Sequence, residues 1–250
     1  MGIKAIGAIL LVSAALGRAD EALLNRAREE YGGGRYGAAV ELLQKLPEKS
    51  AAAWALLGES LYSQGKYRQA FQALEKAVSA EPGNARYWNR LGKAYGRQAE
   101  TGSPLKAFGL ARKCRNAFER AVELDPRDLE SQVDLFSYYL DAPGFLGGGE
   151  EKAEAVAARI GEISAAEHQF VLAQLASHRR DWAAAEQHYR RAMELEPARV
   201  GRVLDLASFL AGRRRAGEGA ALLDRAAQMD PSNPRIAEIR KRLVSAKRDQ

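Results

Sequence analysis

A single cysteine, Cys114, in 250 residues excludes an intramolecular disulfide, so this chain must be held together by packing rather than by crosslinks. A disulfide between copies and a reactive thiol are the alternatives to a small packing residue there, and the repeat register described below favours the packing residue. Histidine is almost as scarce: His168, His178 and His188 are the only three. Their ten-residue spacing would turn them about 80° apart per step on one helix, and they straddle a predicted turn, so no metal-ligand cluster follows. There is no CxxC, HExxH, GxSxG or paired-carboxylate motif, which argues against an enzyme and against a resident metal or cofactor. The net charge of +6 is mild, and the arginines are spread along helices rather than gathered in one stripe, so no nucleic-acid partner is expected.

Long hydrophobic runs are also missing. The longest stretch of small and apolar residues, Ala5–Leu16, holds 12 residues, well short of the roughly 20 needed to cross a bilayer. Lys4 precedes it, and small residues mark its end at Ala15, Gly17 and Ala19. That order is the pattern of a secretory signal cut near Gly17 or Ala19, which predicts residues 1–19 as a signal peptide and a periplasmic mature protein without a membrane span. An uncleaved anchor is the alternative. No cysteine stands at the cut to carry a lipid.

What the chain has in abundance is a repeat. From Ala51, the residues Trp54, Leu57, Gly58, Ala70, Leu74, Ala77 and Pro82 find counterparts in Ala85, Trp88, Leu91, Gly92, Cys114, Phe118, Ala121 and Pro126. Glycine and alanine recur where two helices must lie close, large apolar residues fill the space between, and proline stops the second helix. Fainter copies place Leu172, Ala185, Tyr189, Ala192 and Pro197 in one unit, and Leu206, Leu210, Leu223, Ala226 and Pro231 in the next. This pattern resembles the tetratricopeptide repeat (TPR) family, whose unit of about 34 residues is a helix–turn–helix.

The resemblance implies an all-α, right-handed superhelical solenoid of repeats at 20–50, 51–84, 85–128, 129–165, 166–199 and 200–233. Residues 234–247, with Ile236, Ile239 and Leu243 on one face, would form a capping helix over the open end. One solenoid domain, 20–250, is expected.

In that family the first helix of each unit lines a groove for an extended peptide or a partner helix. The groove positions fall here on Glu59, Tyr62 and Ser63, on Arg86, Asn89, Lys93 and Arg97, on Glu130, Val133 and Ser137, and on Phe170, Gln174 and His178. Arg86, Asn89, Lys93 and Arg97 share one helix face by spacing, a set of donors suited to a carboxylate or phosphate. The clamp of the chaperone-binding members is not matched, because Ala55, Glu59, Glu130 and Asp134 stand where it needs basic or amide residues. Basic groups such as Arg213–Arg215 read as turns or outer faces.

Two first-to-second-helix turns are enlarged. Ala85 to Pro126 is 42 residues against 32 from Ala51 to Pro82, and Leu129 to Ala153 is 25 against 20 from Ala51 to Ala70. The extra residues, centred on 96–112 and 141–150, predict two loops on neighbouring turns at one edge. The second, with Pro143, Phe145, Leu146 and Gly147–Gly149, follows a helix and ends in Glu150-Glu151, which would repel a phosphate at the next helix. It therefore reads as an ordered, non-catalytic edge feature, with Phe145 and Leu146 folded onto the neighbouring insertion. A long first insertion followed by PGFLGGG is similar to a group of exported bacterial TPR proteins of unassigned role.

The expected function is a non-catalytic protein-interaction scaffold of the cell envelope. The alternatives are a binder of a small anionic ligand or wall fragment at the looped edge, and a membrane-proximal assembly factor.

Overall fold

The computed structural model describes residues 20–213 and 215–248. The signal-peptide expectation falls on residues 1–19, outside the described residues. Among the described residues there is no strand, and no helix is long and apolar enough to cross a membrane. The chain divides into two compact units, with the boundary between Ser131 and Gln132.

The first unit holds α1 (20–32), α2 (Tyr36–Gln44), α3 (Ala51–Ser63), α4 (Tyr67–Ala80), α5 (Ala85–Thr101), α6 (Pro104–Leu124) and the start of α7 (Leu129–Asp141). Helix starts follow local chemistry. The Ser50 side chain accepts from the Ala53 amide and Asn84 from the Tyr87 amide, each satisfying a donor the helix itself cannot pair. Gly34 and Gly65 close the first two helical hairpins at φ 73°, a left-handed conformation that costs glycine little. The recurring glycines do the work the repeat pattern implies. A Cβ on Gly58 would lie 2.5 Å from Leu74 Cγ, and one on Gly92 would lie 2.6 Å from the Phe118 ring. Leu74, Ala70, Ala77 and Ala121 are buried at 1% exposure or less. Cys114 takes the register position of Ala70, is 4% exposed, and packs beside Gly96.

The first insertion is not a loop. α5 and α6 run to 17 and 21 residues, against 13 and 14 in α3 and α4. The added residues lengthen both helices, and only Gly102 and Ser103 separate them. Ser103 and Pro104, which read as loop punctuation, are the N-cap and first residue of α6, where proline loses no helical hydrogen bond.

The second unit contains the rest of α7, a 3-10 turn (Gly144–Leu146), α8 (Glu150–Ile163), α9 (Ala165–His178), α10 (Trp182–Leu195), α11 (Val200–Gly212), α12 (Ala216–Met229) and α13 (Pro234–Arg248). α13 packs on α11 and α12 with Ile236, Ile239 and Leu243 at 6%, 3% and 5% exposure. Its core continues through Val203, Leu204, Ala207 and Leu223.

In the 141–150 segment Phe145 is 70% exposed and Leu146 partly buried. Hydrogen bonds within the unit brace the segment. The Gly149 amide donates to the Tyr139 carbonyl at 2.8 Å, and the Tyr138 hydroxyl donates to the Leu146 carbonyl at 3.0 Å. Lys152 Nζ donates to the Gly147 carbonyl at 2.9 Å.

Candidate functional site

In the first unit the groove positions converge on an ion triad. Arg90 Nη1 and Lys93 Nζ each lie 2.7 Å from Glu130 Oε1, while Arg90 Nε is 3.7 Å from Glu59. Lys93 thus meets a carboxylate supplied by the same unit. Arg90, which the groove register passed over, is the central cation, one turn along α5 from Arg86. Arg86 is exposed and lines a small cavity of about 390 Å³ with Asp125 and Asp128. Asn89, expected as a donor on the open face, is 1% exposed. Arg97 lies over the Tyr67 ring at 5.3 Å and pairs with Glu100. Tyr62 stacks edge-on against Tyr67. The four α5 donors therefore do not form one open patch.

Burial pushes the Glu130 carboxyl up, but hydrogen bonds and charge from Lys93 and Arg90 outweigh it and hold the group below the ordinary value of 4.5. A carboxylate depressed by folding contributes stability that is present above its unfolded pKa and is lost as pH falls through the folded one. Carbon-detected NMR of Glu130 is expected to give a titration midpoint below 4.5, and Lys93→Ala is expected to move that midpoint upward. A midpoint unmoved by the substitution would remove the triad from the account.

The second unit carries a cleft with a volume of about 390 Å³. Phe170 and Gln174 from α9 line it, as the groove register anticipated in part, and α10, α11 and α13 complete it. Its wall is a ladder of rings. Phe170 and Tyr189 have centroids 6.1 Å apart, and Tyr189 and Phe209 5.2 Å apart. Tyr189 is pushed up from the ordinary phenol range by burial. Val133 on α7 and Gln174 are partly exposed, and His178 is exposed near Glu150.

Cations around this cleft come from places the repeat register does not cover. Arg213, at the end of α11, lies over the Trp182 ring at 4.0 Å. Arg242 on α13 donates to Ser208 Oγ at 3.0 Å, and Arg235 donates to Asp205 at 2.7 Å. Arg213 is therefore a cleft residue rather than outer-face charge, whereas Arg215 pairs with Glu186 and Glu218. Burial raises the Asp205 carboxyl above its ordinary range even though Arg235 and Arg202 pull it down.

Beneath the cleft sits a buried ion network. Arg202, at 3% side-chain exposure, reaches Glu167 at 2.5 Å and Glu196 at 2.7 Å. Its guanidinium also lies 4.7 Å from the Phe170 ring centroid, so it supports one wall from behind. His168 is held below the ordinary histidine range by burial and by His188. Among the described residues no group of three or more His, Cys, Asp or Glu side chains is placed to hold a metal ion.

The TPR repeat family profile matches residues 58–98. No curated protein matches the chain in sequence. Solved structures do match in fold. A thermophilic TPR protein of Thermus thermophilus aligns over 76% of this chain and 98% of its own, at 20% identity and a TM-score of 0.62. A tetratricopeptide repeat protein from Parabacteroides merdae aligns over 92% and 87%, at 16% identity and a TM-score of 0.64. Pseudomonas aeruginosa pilF aligns over 91% and 99%, at 14% identity and a TM-score of 0.58. At these identities the likeness is one of fold.

Proposed function

From the premise that this chain is a tetratricopeptide-repeat protein, we propose that it is a non-catalytic scaffold of the bacterial cell envelope. In this reading it binds a segment of another protein along the first helices of its repeats. The observation that carries the reading is the second-unit cleft, where α9, α10 and α11 present the ladder Phe170–Tyr189–Phe209 to an open space with polar groups around it. Apolar walls with a few placed polar groups are the make-up of recognition sites rather than of plain solvated surface. Export is part of the proposal, supported by the charged, apolar and small-residue order at the N-terminus.

The test is photo-crosslinking in living cells, with benzoyl-phenylalanine placed at Gln174 in the cleft or at Glu194 on exposed α10 surface. A discrete crosslinked protein in the periplasmic fraction from position 174, and none from 194, is the expected result. Equal crosslinking from both positions would overturn the cleft as the recognition site. Absence of the protein from the periplasm would overturn the location.

A further inference from the structure

The cleft has a chemistry more specific than an apolar groove. Three guanidinium groups line it, from Arg213, Arg235 and Arg242, against one carboxylate, Asp205. That carboxylate is already bonded to Arg235. Among the described residues neither Arg213 nor Arg242 is paired with a carboxylate. The first rests on an indole face and the second donates to a hydroxyl. Both line the same cleft, and Arg242 Nη2 lies 3.9 Å from where a Cβ on Gly212 would stand. A cleft with two uncompensated cations and an aromatic wall favours an occupant that brings negative charge and an apolar side chain together.

We infer that the second-unit cleft takes an acidic segment of a partner protein, seating an apolar side chain against Tyr189 and Phe209 and a neighbouring carboxylate at Arg213 and Arg242. The inference rests on the scaffold reading above and names the chemistry of its partner. A carboxylate fits better than a nucleic-acid backbone. The cavity is the size of one or two side chains, and Asp205 inside it would repel a run of phosphates.

The test uses the full mature chain and a fluorescein-labelled, end-capped peptide, Glu-Leu-Glu-Phe-Glu, followed by fluorescence anisotropy at low salt. The control peptide is Gln-Leu-Gln-Phe-Gln. The acidic peptide should bind about tenfold or more tightly, a preference worth roughly one charge-assisted contact, and should weaken as salt rises. R213Q/R242Q should abolish the preference, while R191Q, on α10 and paired with Glu194, should keep it. Equal binding of the two peptides overturns the inference. So does no binding of either at about millimolar concentration, or tighter binding of a five-nucleotide poly-U RNA. The peptide comparison on the unmodified protein holds even if the double variant misfolds. A partner crosslinked from Gln174 together with indifference to peptide charge would leave the scaffold standing and remove only the acidic preference.

Discussion

Replacing Arg202 by methionine is expected to cost the second unit about 3–5 kcal/mol, the range for removing one partner of a buried ion pair. The side chain is 3% exposed and Glu167, its closest partner, is 8% exposed. Neither could have been taken out of water without the other. Methionine fills similar space but leaves the buried Glu167 facing the exposed Arg199 at 3.3 Å in place of its buried partner, with Glu196 losing a contact as well. The double replacement Arg202→Met/Glu167→Met removes both buried charges together, so it should cost less than the single Arg202→Met change, a strong non-additivity between neighbours. Hydrogen exchange of the α9 and α11 amides is the proper readout, because a whole-chain melt also reports the first unit. Additive effects, or a single-variant loss below about 1 kcal/mol, would mean the pair behaves as surface charge. The change also reaches the cleft. With Arg202 gone, the Phe170 ring loses the guanidinium 4.7 Å from its centroid, so peptide affinity should fall together with protection of α9.

Which of these features could be read from residues alone follows from how local their cause is. Gly58 and Gly92 were legible because the same steric demand recurs one repeat apart, and the structure puts Leu74 and Phe118 where a Cβ would go. The 96–112 insertion was misread because counting excess residues says nothing about their conformation. The usable signal was Ser103-Pro104, an N-cap followed by a first-turn proline, with helix formers on both sides. Asn89 was placed on an open face by register, yet it is 1% exposed, at the wall of the cavity that Arg86, Asp125 and Asp128 also line. Arg202 and Glu167 sit near equivalent places in successive repeats, 35 residues apart. A charge at a buried position cannot be recognised until its partner is known, so that pair was invisible. Arg213 and Arg242 come from a helix end and the terminal helix, outside any repeat position. The cleft therefore had two of its wall residues, Phe170 and Gln174, predicted by register and its cations missed.

Gly148→Ala is expected to disrupt the loop between α7 and α8, destabilising the second unit by about 1–3 kcal/mol, as forced repacking against an immovable neighbour does. The three glycines at 147–149 are not interchangeable. Gly147 and Gly149 sit at φ 88° and 154°, and each suffers from a side chain through backbone strain alone. Gly148 has no such strain to argue. Instead, its Cβ would fall 1.8 Å from the Ala142 carbonyl oxygen and 2.6 Å from the carbonyl carbon. Backbone cannot rotate aside as a long side chain can, so the loop must open. Opening breaks the hydrogen bond from the Gly149 amide to the Tyr139 carbonyl, which joins the end of α7 to the start of α8, and frees the N-terminus of α8 with Glu150 on it. Glu150 is paired with Arg179 at 2.5 Å, so the disturbance should reach the end of α9 as well. Hydrogen exchange at Gly149 and in the first turn of α8 should rise by at least about tenfold, which is the loss of roughly 1.4 kcal/mol of local protection. Gly144→Ala is the internal control, because that residue has open space where a Cβ would go and no positive φ. If both variants leave the exchange pattern unchanged, the turn is a tolerant spacer and the glycine run carries no structural demand. If only Gly148→Ala raises it, the PGFLGGG segment is a built brace between α7 and α8, set by contact rather than by flexibility.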